Sequence, residues 1–204
     1  DKEMDAAHNR CVITVAGDPE AVASGVIRAV GKAAELIDLR QHRGEHPRIG
    51  ATDVIPFVPI AGMTIEECVA LSERVAAEIA TRFGIPVYLY EQSARVGARQ
   101  DLAYIRKGEF ETLRDEIAAN PERKPDFGAA VIHPSAGATV VGARFPLIAY
   151  NVYLRTSDLK VAQAVARAVR NSSGGLRHVK ALGFEIRERN QVQVSMNLTN
   201  FEGT

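Results

Sequence analysis

The sequence predicts an α+β fold in two units, residues 1–145 and 146–204. The first is a two-layer arrangement of helices against a mixed sheet. The second is the beginning of a ferredoxin-like α/β unit. Three observations predict this. Short β-branched or aromatic runs alternate with amphipathic helical stretches through the first unit. From residue 146 the order becomes strand, helix, strand, strand, the first portion of a split βαβ arrangement. The chain has 204 residues and 46% hydrophobic side chains, enough to bury a sizeable core in packed layers.

Taken in order, residues 10–17 (RCVITVAG) alternate and are β-branched, which reads as a strand. Asp18 caps a helix with Pro19 in its first turn. Val22, Val26, Ala29, Ala33 and Ile37 recur at helical steps and give it one buried face, ending near Leu39 and Arg40. A loop, HRGEHPRIGAT, precedes the strand DVIPFVPI, which Pro56 and Pro59 push toward a sheet edge or an irregular strand. Thr64 and Glu67 form a capping box for a helix carrying Leu71, Val75, Ile79 and Phe83, stopped by Gly84. IPVYLY is a third strand. A polar helical stretch over residues 99–119 is broken at Lys107 and Gly108, and NPERKPD is a loop. GAAVIHP and ATVVGAR bracket a turn and read as a hairpin. In the second unit PLIAYNVYL is a strand, Ser157 caps a helix with Val161, Val165, Ala168 and Val169 on one face, and two strands flank residues 188–191.

Composition narrows the function. Lys+Arg and Asp+Glu are equal at 25 each, so there is no electrostatic footprint for nucleic acid. No apolar run reaches the length of a membrane span, and no signal-peptide pattern opens the chain. Cys11 and Cys68 lack metal-ligand spacing and read as reduced core thiols of a cytoplasmic protein. His42 and His46 are four apart, but Gly44 and Pro47 argue against a shared helix face, so no metal site is expected.

What remains is acid–base chemistry and anion recognition. His46 stands in the turn GEHPR, between Glu45 and Pro47, with Arg48 beyond. Neutral imidazole is the natural general base near neutrality, with an unperturbed pKa of about 6.5. On these grounds His46 is either a catalytic base or an ordinary loop histidine. GAAVIHPSAG, with glycine at each end, would let backbone approach a flat ligand closely; a simple turn reads the same way. Arginines next to such loops, Arg48 and Arg144 above all, suit carboxylates, which guanidinium grips bidentately.

HRGEHPRIGATDVIPFVPI, PVYLYEQSA, PDFG, HPSAGATVVGAR and VQVSMNLTNFE, in this order, closely resemble the glutamate formimidoyltransferase (formiminotransferase) family over essentially the whole chain. The resemblance implies a formiminotransferase N-terminal subdomain followed by part of the C-terminal one. The chain is then expected to be partial, lacking the family's first strand and the end of the second subdomain. The implied activity is transfer of a formimino group from N-formimino-L-glutamate to tetrahydrofolate, a cosubstrate, within histidine degradation and without a metal. The implied catalytic residues are His46, as general base, and an acidic residue placed by spacing on Glu3, with Asp1 and Asp5 on the same stretch. The implied folate segment is Gly128, Ala129, Ala130, Val131, Ile132, His133, Pro134, Ser135, Ala136 and Gly137. The family's usual state implies a homodimer. The alternatives are a folate-binding protein without transfer activity and a related one-carbon enzyme acting on 5-formyltetrahydrofolate.

Overall fold

The computed structural model describes residues 1–6, 9–44, 46–186, 189–200 and 203, the side chain of Asp5 aside. It divides into two compact units, Asp1–Arg144 and Phe145–Thr204.

The first unit opens with an antiparallel hairpin, β1 (Lys2–Asp5) and β2 (Arg10–Ile13). The strand read over residues 10–17 thus stops at Ile13. Because the hairpin is a two-stranded sheet of its own, every side chain of β2 is exposed. Cys11, expected in the core, is therefore a surface thiol, whereas Cys68 is buried. Helix α1 (Pro19–Leu36) starts where the Asp18 carboxylate accepts the N–H groups of Glu20 and Ala21. It ends short of the expected Leu39, because Ile37 is already extended.

Strand β3 (Val54–Phe57) leads to α2 (Ile65–Phe83), whose Thr64–Glu67 capping box is fully formed and whose end is closed by Gly84 at φ 66°. Strand β4 (Val87–Glu91) follows, then the polar stretch, which splits into α3 (Leu102–Arg106) and α4 (Glu109–Glu116) around Lys107 and Gly108. Strand β5 is Thr139–Ala143.

These strands form a parallel sheet in the order β3-β5-β4. Strand β3, which keeps Pro56 and ends before Pro59, is at the edge as expected. The hairpin read into GAAVIHP and ATVVGAR does not form. Residues 128–132 run as irregular chain, and ATVVGAR supplies the central parallel strand. The reason is burial on both faces, which a continuous apolar run satisfies and an alternating hairpin strand does not. Val87, Leu89, Val141 and Ala143 face a core shared with α1 and α2. Tyr88, Tyr90 and Val140 face a second core with Ile105, Leu113 and Ile117. The α+β class holds, but the two expected layers become three here, with α3 and α4 as a thinner cover on the second face.

In the second unit, β6 (Ile148–Leu154), α5 (Leu159–Val169), β7 (Val179–Ile186) and β8 (Gln191–Leu198) build an antiparallel sheet in the order β6-β8-β7. Helix α5 packs Ala162 and Ala166 against Val179, Ala181, Val192 and Val194. This is the first half of a ferredoxin-like unit. Asp158, not Ser157, caps α5: its carboxylate accepts the Lys160 N–H at 2.9 Å. No helix among the described residues is long and apolar enough to cross a membrane.

Candidate active site

The GEHPR turn lies in the connection between α1 and β3. The two residues just before it, His42 and Arg43, are held by the N-terminal hairpin. His42 Nε2 is 2.8 Å from the Asn9 carbonyl, and the Asn9 amide donates to the Arg43 carbonyl at 2.7 Å. Asn9 lies between β1 and β2, so it ties the hairpin to this loop. The Nδ1 of His42 is buried with no hydrogen-bond partner among the described residues. His46 is half-buried. Glu45, the acid just before it, lies outside the described residues.

Beyond His46 the backbone is pinned residue by residue. Arg48 is buried, and its guanidinium takes both carboxylates at the start of α4: Glu109 at 2.7 Å and Glu111 at 2.7 Å. Ile49 donates its N–H to the Asp53 carboxylate at 2.8 Å, and Asp53 pairs in turn with Arg106. The Ile49 carbonyl accepts from Ala138 N–H, and Ala51 N–H donates to the Ala136 carbonyl, each at 2.9 Å. Gly50 and Gly137 face each other across this bridge.

Glycine is required at both positions. A Cβ on Gly50 would sit 1.8 Å from the Ala138 carbonyl oxygen; one on Gly137, whose φ is 73°, would sit 2.2 Å from the Ile49 oxygen. The close approach that the sequence suggested for a ligand is thus taken at Gly137 by the loop that carries His46. The two longest motifs interlock at the N-terminal ends of β3 and β5.

Within residues 128–137 the exposed side is formed by Gly128, Ala129, Val131 and Pro134, while Ala130 and Ile132 lean on the second core and Ala136 is buried. His133 closes the turn. It exchanges backbone hydrogen bonds with Gly137, and its Nδ1 accepts the Ala136 N–H at 3.0 Å. Neutral His133 must therefore carry its proton on Nε2. Burial pushes the imidazole below its ordinary pKa of 6.5. The Ser135 carbonyl ties the segment to the chain just beyond α1 by accepting the Leu39 N–H.

The other sequence-derived residues are placed apart from this bridge. Glu3 is exposed on β1 opposite Val12, further from the turn than Asp5, which faces Arg10. Arg144 follows β5 at its C-terminal end, where its N–H donates to the Phe57 carbonyl and its side chain bonds Tyr90. Burial, only partly offset by that arginine, pushes the Tyr90 phenol up to about 12. Arg144 lies seven positions beyond Gly137 along extended chain, roughly 23 Å at about 3.3 Å per residue. Arg48 and Arg144 are therefore at opposite ends of one strand. Arg48 already has its carboxylates: they raise its pKa, and its guanidinium holds the Glu111 carboxyl below its ordinary value of 4.5. Sequence reading missed Asn9, Asp53, Glu109 and Glu111. Asn9, Glu109 and Glu111 bind a loop more than thirty residues away and nothing local marks them as its partners; Asp53 lies only four residues from the Ile49 N–H it accepts, but nothing marks an acid before a strand as a loop clamp.

Among the described residues no three His, Cys, Asp or Glu side chains gather as a metal site would require. Residues 1–144 match the formiminotransferase domain, N-terminal subdomain, and residues 149–204 match the formiminotransferase domain. The chain is 46% identical over 99% of its length to glutamate formimidoyltransferase of Streptococcus pyogenes. It is 46% identical over its whole length to the enzyme of the same name from Thermoplasma acidophilum. In each case it spans 67% of the relative. It is also 42% identical to formimidoyltransferase-cyclodeaminase of Gallus gallus, of which it spans 38%. Two consecutive family matches that together cover nearly the whole chain, with 46% identity over its length, mean that the chain belongs to the formiminotransferase family.

Proposed function

We propose that this protein transfers the formimino group of N-formimino-L-glutamate to tetrahydrofolate, giving 5-formiminotetrahydrofolate and L-glutamate. The observation that carries the reading is 46% identity, over this chain's length, to two glutamate formimidoyltransferases. The anchored placement of His46 supports it. The N5 nitrogen of tetrahydrofolate attacks the formimino carbon and must lose its proton as the new C–N bond forms. His46 takes that proton as general base. The tetrahedral intermediate then collapses, the bond to the glutamate nitrogen breaks, and the imidazolium returns the proton to that nitrogen. A carboxylate on β1, assigned to Glu3, steadies the charged imidazole. Residues 128–137 offer their exposed side to the pterin, and Arg144 is assigned to a substrate carboxylate. Arg48 serves the loop. Imidazole carries the proton in both directions, so the reading calls for tetrahydrofolate as cosubstrate and for no metal. It also takes the protein to act in the cytoplasm as a homodimer.

The test is turnover by the full natural chain with both substrates, alongside His46→Ala. Loss of a general base costs about 10²–10⁴-fold in rate. Tetrahydrofolate affinity should stay within a few-fold, because the ring is not assigned a binding contact. Near-normal turnover in the variant would remove His46 from the mechanism. Tetrahydrofolate binding without turnover in the unsubstituted protein would point to a folate-binding protein. Preference for 5-formyltetrahydrofolate would point to the related one-carbon chemistry.

A further inference from the structure

His46 is borne on a short loop whose two ends are joined by one side chain. Arg48 donates from Nη2 to the His42 carbonyl at 3.4 Å, so its guanidinium reaches back across the loop. The same guanidinium is held in two directions by carboxylates: Nη1 by Glu109 at 2.7 Å and Glu111 at 2.9 Å, Nη2 by Glu111 at 2.7 Å. The Arg48 backbone is gripped by the same short segment. Its N–H donates to Glu109 Oε2 at 3.3 Å, and its carbonyl accepts the Phe110 N–H at 3.0 Å.

One carboxylate would neutralise the arginine. Glu111 takes both Nη atoms through its two oxygens, a fork that fixes the guanidinium plane, and Glu109 adds a further charge-assisted bond at Nη1. The Arg48 side chain is 10% exposed, whereas the carboxylate side chains are 40% and 49% exposed. The acids thus reach in from the surface to a cation that is already buried. The backbone that presents them is strained. Gly108 and Glu109 both have positive φ, 78° and 58°, and for a glutamate that conformation is unfavourable. The strain falls on the residue whose carboxylate meets the arginine and whose successor supplies the N–H, a pattern typical of functional sites.

We infer that Glu109 and Glu111 are positioning residues for His46, acting through Arg48, which closes the loop carrying the imidazole. The inference rests on the reading of His46 as the proton-transfer group. It adds a role for the first turn of α4, a stretch the sequence presents as a solvated polar helix. Neither glutamate is assigned a substrate contact. Their removal should therefore slow the chemical step and leave substrate affinity nearly alone.

The experiment compares the full natural chain with Glu111→Gln, with Glu109→Gln/Glu111→Gln and with Arg48→Lys. The glutamines keep shape and remove charge; the lysine keeps charge and loses the fork. Mispositioning of a catalytic group by an ångström costs on the order of 100-fold. The double variant and Arg48→Lys should accordingly lose about 10- to 100-fold in kcat, with KM for both substrates within about threefold. Glu111→Gln alone should lose about 3- to 10-fold in kcat. The second readout needs no turnover: the His46 imidazole resonances, followed by NMR with labelled histidine through a pH titration. They should shift and broaden in the double variant. Unchanged kcat with unchanged His46 resonances would overturn the inference, as would a loss confined to KM. If the double variant does not fold, Glu111→Gln decides by the same criteria, since its carboxylate is half exposed and Glu109 still holds Arg48. If the unsubstituted protein shows no turnover, the proposed activity fails, and the imidazole spectrum still decides whether the glutamates hold the ring.

Discussion

Three glycine-to-alanine substitutions separate what the loop interlock contributes from what backbone strain contributes. Gly84 has φ 66° and open space around a new Cβ, so Gly84→Ala incurs only the left-handed penalty, about 1–2 kcal/mol. Gly50 has no such φ but would place its Cβ 1.8 Å from the Ala138 oxygen. Bringing that contact out to 3.0 Å requires the two loops to part by 1.2 Å (3.0 minus 1.8). Both 2.9 Å hydrogen bonds of the bridge, Ala138 to Ile49 and Ala51 to Ala136, would then exceed 3.5 Å. A buried backbone group left without its partner costs about 1–3 kcal/mol, so Gly50→Ala should lose about 2–6 kcal/mol. Gly137→Ala adds positive φ to a clash of its own against the Ile49 oxygen, which parts the same two loops, and should lose about 3–8 kcal/mol. That is a large fraction of the roughly 5–15 kcal/mol of a typical domain. Urea denaturation followed by near-UV circular dichroism, to which the buried Tyr88 and Tyr90 contribute, measures each loss. The double variant should lose less than the sum, because the two residues break the same bonds. A Gly137→Ala protein no less stable than Gly84→Ala, but weaker in tetrahydrofolate binding, would refute the reasoning. It would return Gly137 to the role of a ligand-facing glycine.

Two further outcomes follow from other parts of the first unit. Arg99 and Asp126 form an ion pair at 2.8 Å with both side chains 6% exposed, and Asp126 also accepts the Leu89 N–H. Asp126→Ala should therefore cost about 3–5 kcal/mol by leaving a buried guanidinium uncompensated; a loss below about 1 kcal/mol, typical of a surface pair, would show that water reaches the site. His133 has a lowered pKa in the folded protein, so the unfolded chain binds its proton first as pH falls. Its contribution to stability is complete above 6.5 and declines as pH drops through the folded value. Protonation of Nδ1 would also end its acceptance of the Ala136 N–H. Denaturation midpoints from pH 8 to 5 should decline less in His133→Gln than in the unsubstituted protein; parallel curves would count against this.

Much of the fold is legible in the sequence because its signals are local. The capping box at Thr64 and Glu67, the glycine stop at Gly84, the apolar face of α2 and the break at Lys107–Gly108 depend on residues a few positions apart. The resemblance that placed His46 is carried on contiguous motifs and is legible for the same reason. Tertiary structure decided what depends on partners distant in sequence. Residues 128–132 looked like a strand until the central place of β5, buried on both faces, showed that a parallel sheet claims only Thr139–Ala143. Cys11 has a core residue's chemistry but lies on a hairpin with no buried face. Arg48 and Arg144 read alike as carboxylate binders, yet the fold gives Arg48 two glutamates of its own and sends Arg144 to the other end of the strand. Glu109 and Glu111 carry no local mark at all, because a charged pair on a helix looks the same whether it faces water or a buried guanidinium some sixty residues away. Backbone conformation and side-chain period are written in neighbouring residues. Which charge meets which, and whether a glycine makes room for a ligand or for another loop, is settled only when the chain folds back on itself.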